Sequence, residues 1–109
     1  MGDNVRPAMY DAKYSAVVAN RMADYPKEIV SLAGKYCESG DILIKDIKLP
    51  VLETGDIIAI PASGAYSPSM ASSYNLNPRP PMVMVLSGED RLIRRREEYQ
   101  DYLIFDAIK

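Results

Sequence analysis

Cys37 and Glu38 stand side by side in the octapeptide Gly34-Lys35-Tyr36-Cys37-Glu38-Ser39-Gly40-Asp41, which holds the one cysteine of the chain. A lone cysteine is commonly a small, buried, inert hydrophobe. This one lies in a polar segment bounded by glycines, and loops carry functional groups more often than cores do. A thiol with a pKa of about 8.5 keeps its proton near neutrality and can give it away. A carboxylate close in space, as Glu38 would be, favours the protonated thiol by like-charge repulsion. The pair therefore suits a general acid better than a nucleophile. Asp41 can be a site carboxylate or a turn residue leading a strand. The alternating stretch that follows it favours loop support.

Two further segments combine reactive side chains with turn formers. Gly2-Asp3-Asn4-Val5-Arg6-Pro7-Ala8-Met9-Tyr10 places a guanidinium and a phenol four residues apart. Gly64-Ala65-Tyr66-Ser67-Pro68-Ser69-Met70-Ala71-Ser72-Ser73-Tyr74-Asn75 sets a tyrosine next to a long polar run. Single charges such as Arg6 and Glu38 are most often solvated surface groups. With 8 tyrosines in the chain, Tyr66 can equally be a core or rim residue. The glycine before it and the polar segment after it suit close approach to a ligand.

The elements that must position these residues are short. Residues 1 to 12 read as an irregular leading segment, with Gly2, Asn4 and Pro7 as breakers. Tyr14 to Arg21 and Glu28 to Ala33 read as strands, the second ending at Gly34. Gly34 to Gly40 is a loop, and Asp41 opens the alternating strand Ile42 to Leu49, stopped by Pro50. Glu53-Thr54-Gly55-Asp56 is a turn leading into a strand at Ile57 to Ile60. A short helix starts near Ser67 with Pro68 at its first position. Met82 to Leu86 and Arg91 to Arg95 read as a hairpin around Ser87-Gly88-Glu89-Asp90. Glu97 to Phe105 permits a terminal helix. Many short strands with Gly/Pro turns predict an all-β sandwich or barrel, without internal repeat or domain linker.

Bulk properties bound the function. A chain of 109 residues is one domain on size grounds, and its 48% hydrophobic and 26% charged residues are those of an ordinary globule. A net charge of -2 argues against a dedicated nucleic-acid binder, and Arg91 to Arg96 reads instead as an exposed strand whose charges protect an edge. The absence of histidine removes Ser-His-Asp and Cys-His catalysis and the usual zinc site, so no metal is expected. No apolar run is long enough to span a bilayer, and the first residues form no secretory leader. One cysteine cannot form an internal disulfide, which fits a reducing cytoplasm.

Taken in order, the three segments resemble the C-terminal domain of the diaminopimelate decarboxylase family, pyridoxal phosphate (PLP) enzymes of the alanine racemase-like group. The resemblance covers nearly the whole chain; Ser73 stands where Asn is common in the family. It implies a modified Greek-key β-barrel with short helical segments over residues 1–109. It implies that the cofactor's Schiff-base lysine lies in an N-terminal (β/α)8 barrel, for which at ~250 residues this chain has no room. The glycines show no phosphate-cradling GxGxxG pattern either. The chain then reads as a domain excised, or separately encoded, from a larger enzyme.

The resemblance also implies roles. Cys37 is the proton donor to the carbon left after carbon dioxide departs. Meso-2,6-diaminopimelate carries an amino acid group at each end, so its distal end needs an anion and a cation at fixed separation. Glu38 matches the group that holds the ammonium, and Arg6 matches the one that forks onto the carboxylate. Tyr10 adds a hydroxyl, and Tyr66 contacts both PLP and substrate. The family is homodimeric: the Cys37–Glu38 loop enters the partner subunit's site, whereas Arg6, Tyr10 and Tyr66 serve the PLP of their own subunit. The product is L-lysine, and the isolated domain is expected to be inactive. A related decarboxylase acting on ornithine, arginine or carboxynorspermidine is the neighbouring reading, disfavoured because a substrate with only a distal ammonium needs no Arg6. A non-catalytic β-barrel interaction domain is the reading from another class.

Overall fold

The structure is a computed structural model and describes Gly2 and residues 4–107. Two compact units divide the chain, one reaching to Met70 and the other built from Ala71 onward together with Gly2. Ser72 N–H donates to Gly2 O at 2.8 Å, which ties Gly2 into the second unit. Among the described residues, no helix is long and apolar enough to cross a membrane.

The first unit opens with a helix where an irregular segment was expected. Helix α1 spans Arg6–Tyr10, with proline in its first turn. Pro7 is no breaker there: its fixed φ suits a helix start, and its missing N–H is one that no helix start can satisfy. The helix stops at Asp11, which adopts the left-handed conformation (φ 53°) and donates its N–H to Pro7 O. The apolar run from Tyr14 yields only the short strand β1, Val17–Val18, before a 3-10 turn at Ala19–Arg21. The run is interrupted because Asn20 and Arg21 turn their side chains to Asp56, as described below.

Strands β2, Glu28–Ala33, and β3, Ile42–Leu49, match the sequence expectation and pair antiparallel. Six residues face eight, and the register absorbs the difference. Val30 opposes Ile47, Leu32 opposes Ile44, and Ala33 opposes Ile42, so β3 carries two extra residues at two bulges. Asp46 sits at the first with φ 53° and donates its N–H to Ser31 Oγ at 3.4 Å. Strand β4, Ile58–Ala59, pairs antiparallel with β1. Helix α2, Ser67–Met70, closes the unit at the position expected for it. The buried apolar residues Ala16, Val18, Ile44 and Leu49 all lie in this unit. Burying a Val or Leu side chain contributes roughly 1.5–3 kcal/mol.

The second unit holds a 3-10 turn at Tyr74–Leu76 and the antiparallel hairpin of β5, Met82–Leu86, and β6, Glu89–Arg94. Its turn is tighter than the sequence suggested. Ser87 and Gly88 alone form it, both at positive φ (54° and 83°), which makes a two-residue type I′ turn. The expected terminal helix is instead a 3-10 segment, Tyr99–Leu103, with a reciprocal cap between Glu98 and Asp101. Among the described residues, the strands form three two-stranded antiparallel sheets: β1 with β4, β2 with β3, and β5 with β6.

Candidate active-site residues

All five residues singled out for chemistry lie in the first unit, and four of them form two pairs. Cys37 and Glu38 form one. The Cys37 thiol is exposed, and its Sγ lies 3.5 Å from Glu38 Oε1, with the thiol donating. That contact needs a protonated sulfur, the form a general acid must start from.

The loop that carries this pair is closed upon itself. Gly34 N–H donates to Asp41 O at 2.8 Å, and Asp41 N–H donates to Glu38 O at 3.0 Å. The Asp41 side chain is buried and accepts the Tyr36 N–H at 2.9 Å. Its carboxylate lies so near Gly34 that a Cβ there would stand 2.1 Å from Oδ2. Asp41 therefore supports the loop, as the sequence suggested. The need for glycine at position 34 arises from this approach and leaves no local sign in the sequence.

Arg6 and Tyr66 form the second set. The Arg6 guanidinium sits over the Tyr66 ring, 5.1 Å from its centroid, within cation–π reach. Tyr66 remains 60% exposed and Tyr10 64%, so both hydroxyl-bearing rings are open to a ligand. Arg6 and Tyr10 bracket α1, and a spacing of four puts them on one side of it. Tyr10 belongs to neither pair. Between α1 and the start of β3 lies a cavity of about 340 Å³, lined by Pro7, Ala8, Ser39, Gly40, Ile42 and Lys45 among others. The helix bearing Arg6 and the end of the Cys37 loop thus share a wall.

A fixed scaffold stands behind these groups. Arg21 forks onto Asp56, its Nε donating to Oδ1 at 3.0 Å and its Nη2 to Oδ2, while Nη1 reaches Asp24 at 2.8 Å. Asn20 Nδ2 and the Glu53 N–H also donate to Asp56. The Arg21 guanidinium, followed by the Glu53 N–H, holds the Asp56 carboxyl well below the usual carboxylate range. In the second unit, Arg79 pairs with Glu97 and Arg95 with Asp101. Asp101 is lowered to about 2, chiefly by its hydrogen bond from Arg95. Both pairs lie outside β6, whose last residue Arg94 directly precedes Arg95.

Residues 1–64 match the family model described as "Pyridoxal-dependent decarboxylase, C-terminal sheet domain". The chain belongs to this family. The decarboxylase likeness extends over the remaining residues. Diaminopimelate decarboxylase of Bacillus subtilis is 51% identical over 97% of this chain, and that of Synechocystis is 51% identical over 99%. The chain spans only 24% and 23% of those relatives. Among solved structures, the diaminopimelate decarboxylase from M. jannaschii in co-complex with L-lysine superposes with a TM-score of 0.89 at 41% identity, covering all of this chain and 25% of that one. The Helicobacter pylori enzyme complexed with L-lysine gives 0.79 at 42%, covering 94% and 25%. The sheet-rich architecture is that of the pyridoxal-dependent decarboxylase C-terminal domain. Tyr66 carries an exposed phenol, a group chemically able to donate a hydrogen bond to an anionic cofactor such as PLP.

Proposed function

We propose that this domain completes the active site of a diaminopimelate decarboxylase that converts meso-2,6-diaminopimelate to L-lysine and carbon dioxide. The observation that carries the reading is the near-complete match of the chain to diaminopimelate decarboxylases at about half identity. PLP, when bound, supplies the electron sink for cleavage of the carbon–carboxylate bond. Tyr66 is the residue of this chain that would contact it; the Schiff-base lysine belongs to the N-terminal barrel.

This chain's own residues would bind substrate and move one proton. Arg6 forks onto the distal carboxylate, Glu38 takes the distal ammonium, and Tyr10 adds a hydroxyl hydrogen bond. Two opposite charges at fixed separation select a substrate whose far end is itself an amino acid, which favours diaminopimelate over ornithine. The Cys37 thiol then gives its proton to the carbon that has lost carbon dioxide, and the thiolate regains a proton from solvent. The exposure of the Cys37 thiol and its contact with Glu38 support this role, since they place donor and ammonium-binding carboxylate side by side.

In the same reading, residues 1–109 are one C-terminal domain whose small sheets belong to a modified Greek-key barrel, in a cytoplasmic homodimer. The Cys37–Glu38 loop serves the partner subunit's site, and Arg6, Tyr10 and Tyr66 serve their own. The separate pairing of Cys37 with Glu38 and of Arg6 with Tyr66 supports that division.

Complementation tests the reading. This chain is mixed with the PLP-loaded N-terminal barrel of the same enzyme, and lysine formation from meso-diaminopimelate is followed, with a Cys37→Ala chain alongside. The expected result is no activity from either piece alone, activity from the mixture, and a loss of roughly 100-fold or more with Cys37→Ala. Full activity with the variant would remove the proton-donor role and favour a non-catalytic interaction domain.

A further inference from the structure

We infer that Gly34 and Asp41 act as a clamp that positions the Cys37 thiol for proton delivery; this rests on the proton-donor reading above. Three observations converge on one loop. Asp41 is 4% exposed although charged, and a carboxylate is rarely so buried without a structural task. It accepts the Tyr36 N–H at 2.9 Å, fixing the Lys35–Tyr36 peptide, one link before that of Cys37. Its backbone closes the loop on both sides, taking the Gly34 N–H at 2.8 Å and giving its own N–H to Glu38 O at 3.0 Å. Asp41 thus holds the Cys37–Glu38 dipeptide from behind through side chain and backbone together.

Gly34 is the second half of the clamp. A Cβ at this position would fall 2.1 Å from Asp41 Oδ2, 2.6 Å from Cγ and 2.7 Å from Oδ1. Relieving such a clash displaces the carboxylate that accepts the Tyr36 N–H. Two substitutions at different positions therefore break the same contact by different means. Asp41→Ala removes the acceptor, and Gly34→Ala drives it away. Neither residue touches the reacting atoms; both are positioning residues. The chemistry makes their effect large, since a misplacement of about 1 Å at a reacting group costs on the order of 100-fold in rate.

The test uses the full-length PLP enzyme carrying these variants, assayed in deuterated water. The decarboxylated carbon of lysine then acquires one deuterium, and its placement on one face of that carbon reports whether a fixed donor delivered it. Asp41→Ala and Gly34→Ala should each lower kcat by about 100-fold and scramble the deuterium between the two faces. On a Cys37→Ala background, neither should lower kcat further. A partly unfolded preparation only reduces the amount of active enzyme and leaves single-face labelling intact, so the label separates misplacement from instability. If one variant does not fold, the other decides with the same two readouts. Single-face labelling in the variants, wild-type kcat, or losses that multiply with that of Cys37→Ala would each overturn the clamp. A Cys37→Ala enzyme with full activity and single-face labelling would instead sink the proton-donor reading itself.

Discussion

Asp56 shows how one residue's surroundings set the chain's response to pH. Its carboxyl is held low by Arg21, so its folded value lies beneath the unfolded value of about 3.9. A depressed carboxylate stabilises the fold fully above the unfolded pKa and progressively less as pH falls through the folded one. Asp101, lowered to about 2 by Arg95, has the same sign in the second unit. Urea unfolding of the chain should therefore show a stability plateau above about pH 5 and a decline below about pH 4. Asp56→Asn should lower the plateau and flatten the decline; an unchanged slope would show that Arg21 does not favour the charged form. The sequence revealed half of this arrangement. Glu53-Thr54-Gly55-Asp56 was legible as a turn because its residue types are local, whereas the Arg21 partner, 35 residues away, leaves no local trace. The same contrast holds at the candidate site. Cys37, Glu38 and Arg6 stood out by type and motif, but the close approach of Asp41 to Gly34 exists only once the loop closes.

Strands survived the passage from sequence to structure best where alternation was strong and turn residues flanked it. Strands β2, β3 and β5 begin and end where the apolar pattern does. Strand β1 is shorter than its apolar run because the side chains of Asn20 and Arg21 bond Asp56, and α1 is hard to see in the sequence because Pro7 reads equally as a breaker and as a helix start. The two bulges of β3 were invisible, since register depends on the partner strand as much as on the strand itself. At the hairpin, Gly88 with φ 83° carries a backbone that L-residues rarely adopt, with open space around it. Gly88→Val should cost about 1–2 kcal/mol for that reason alone. Thermal melts of the wild type and of a Gly88→Asn chain, which tolerates the left-handed region, check this: Asn should lose much less than Val.

The chain as a whole buries little of what it owns. In β5 the consecutive residues Val83, Met84, Val85 and Leu86 are 47–71% exposed, so both faces of the hairpin are apolar and open; Phe105 is 95% exposed. Successive strand residues point to opposite faces, so one covering surface cannot protect them all. A chain that spans a quarter of its relatives' length is expected to show such surface. Sedimentation at rising concentration should reveal reversible self-association, reduced by Val85→Lys and Leu86→Lys together. A clean monomer throughout would argue against it. The lack of any buried apolar side chain from Ala71 onward, among the described residues, also bears on temperature. Covering so much hydrocarbon gives association a large negative heat-capacity change. The driving force then fades on cooling, and the second unit becomes the cold-labile part of whatever assembly it completes.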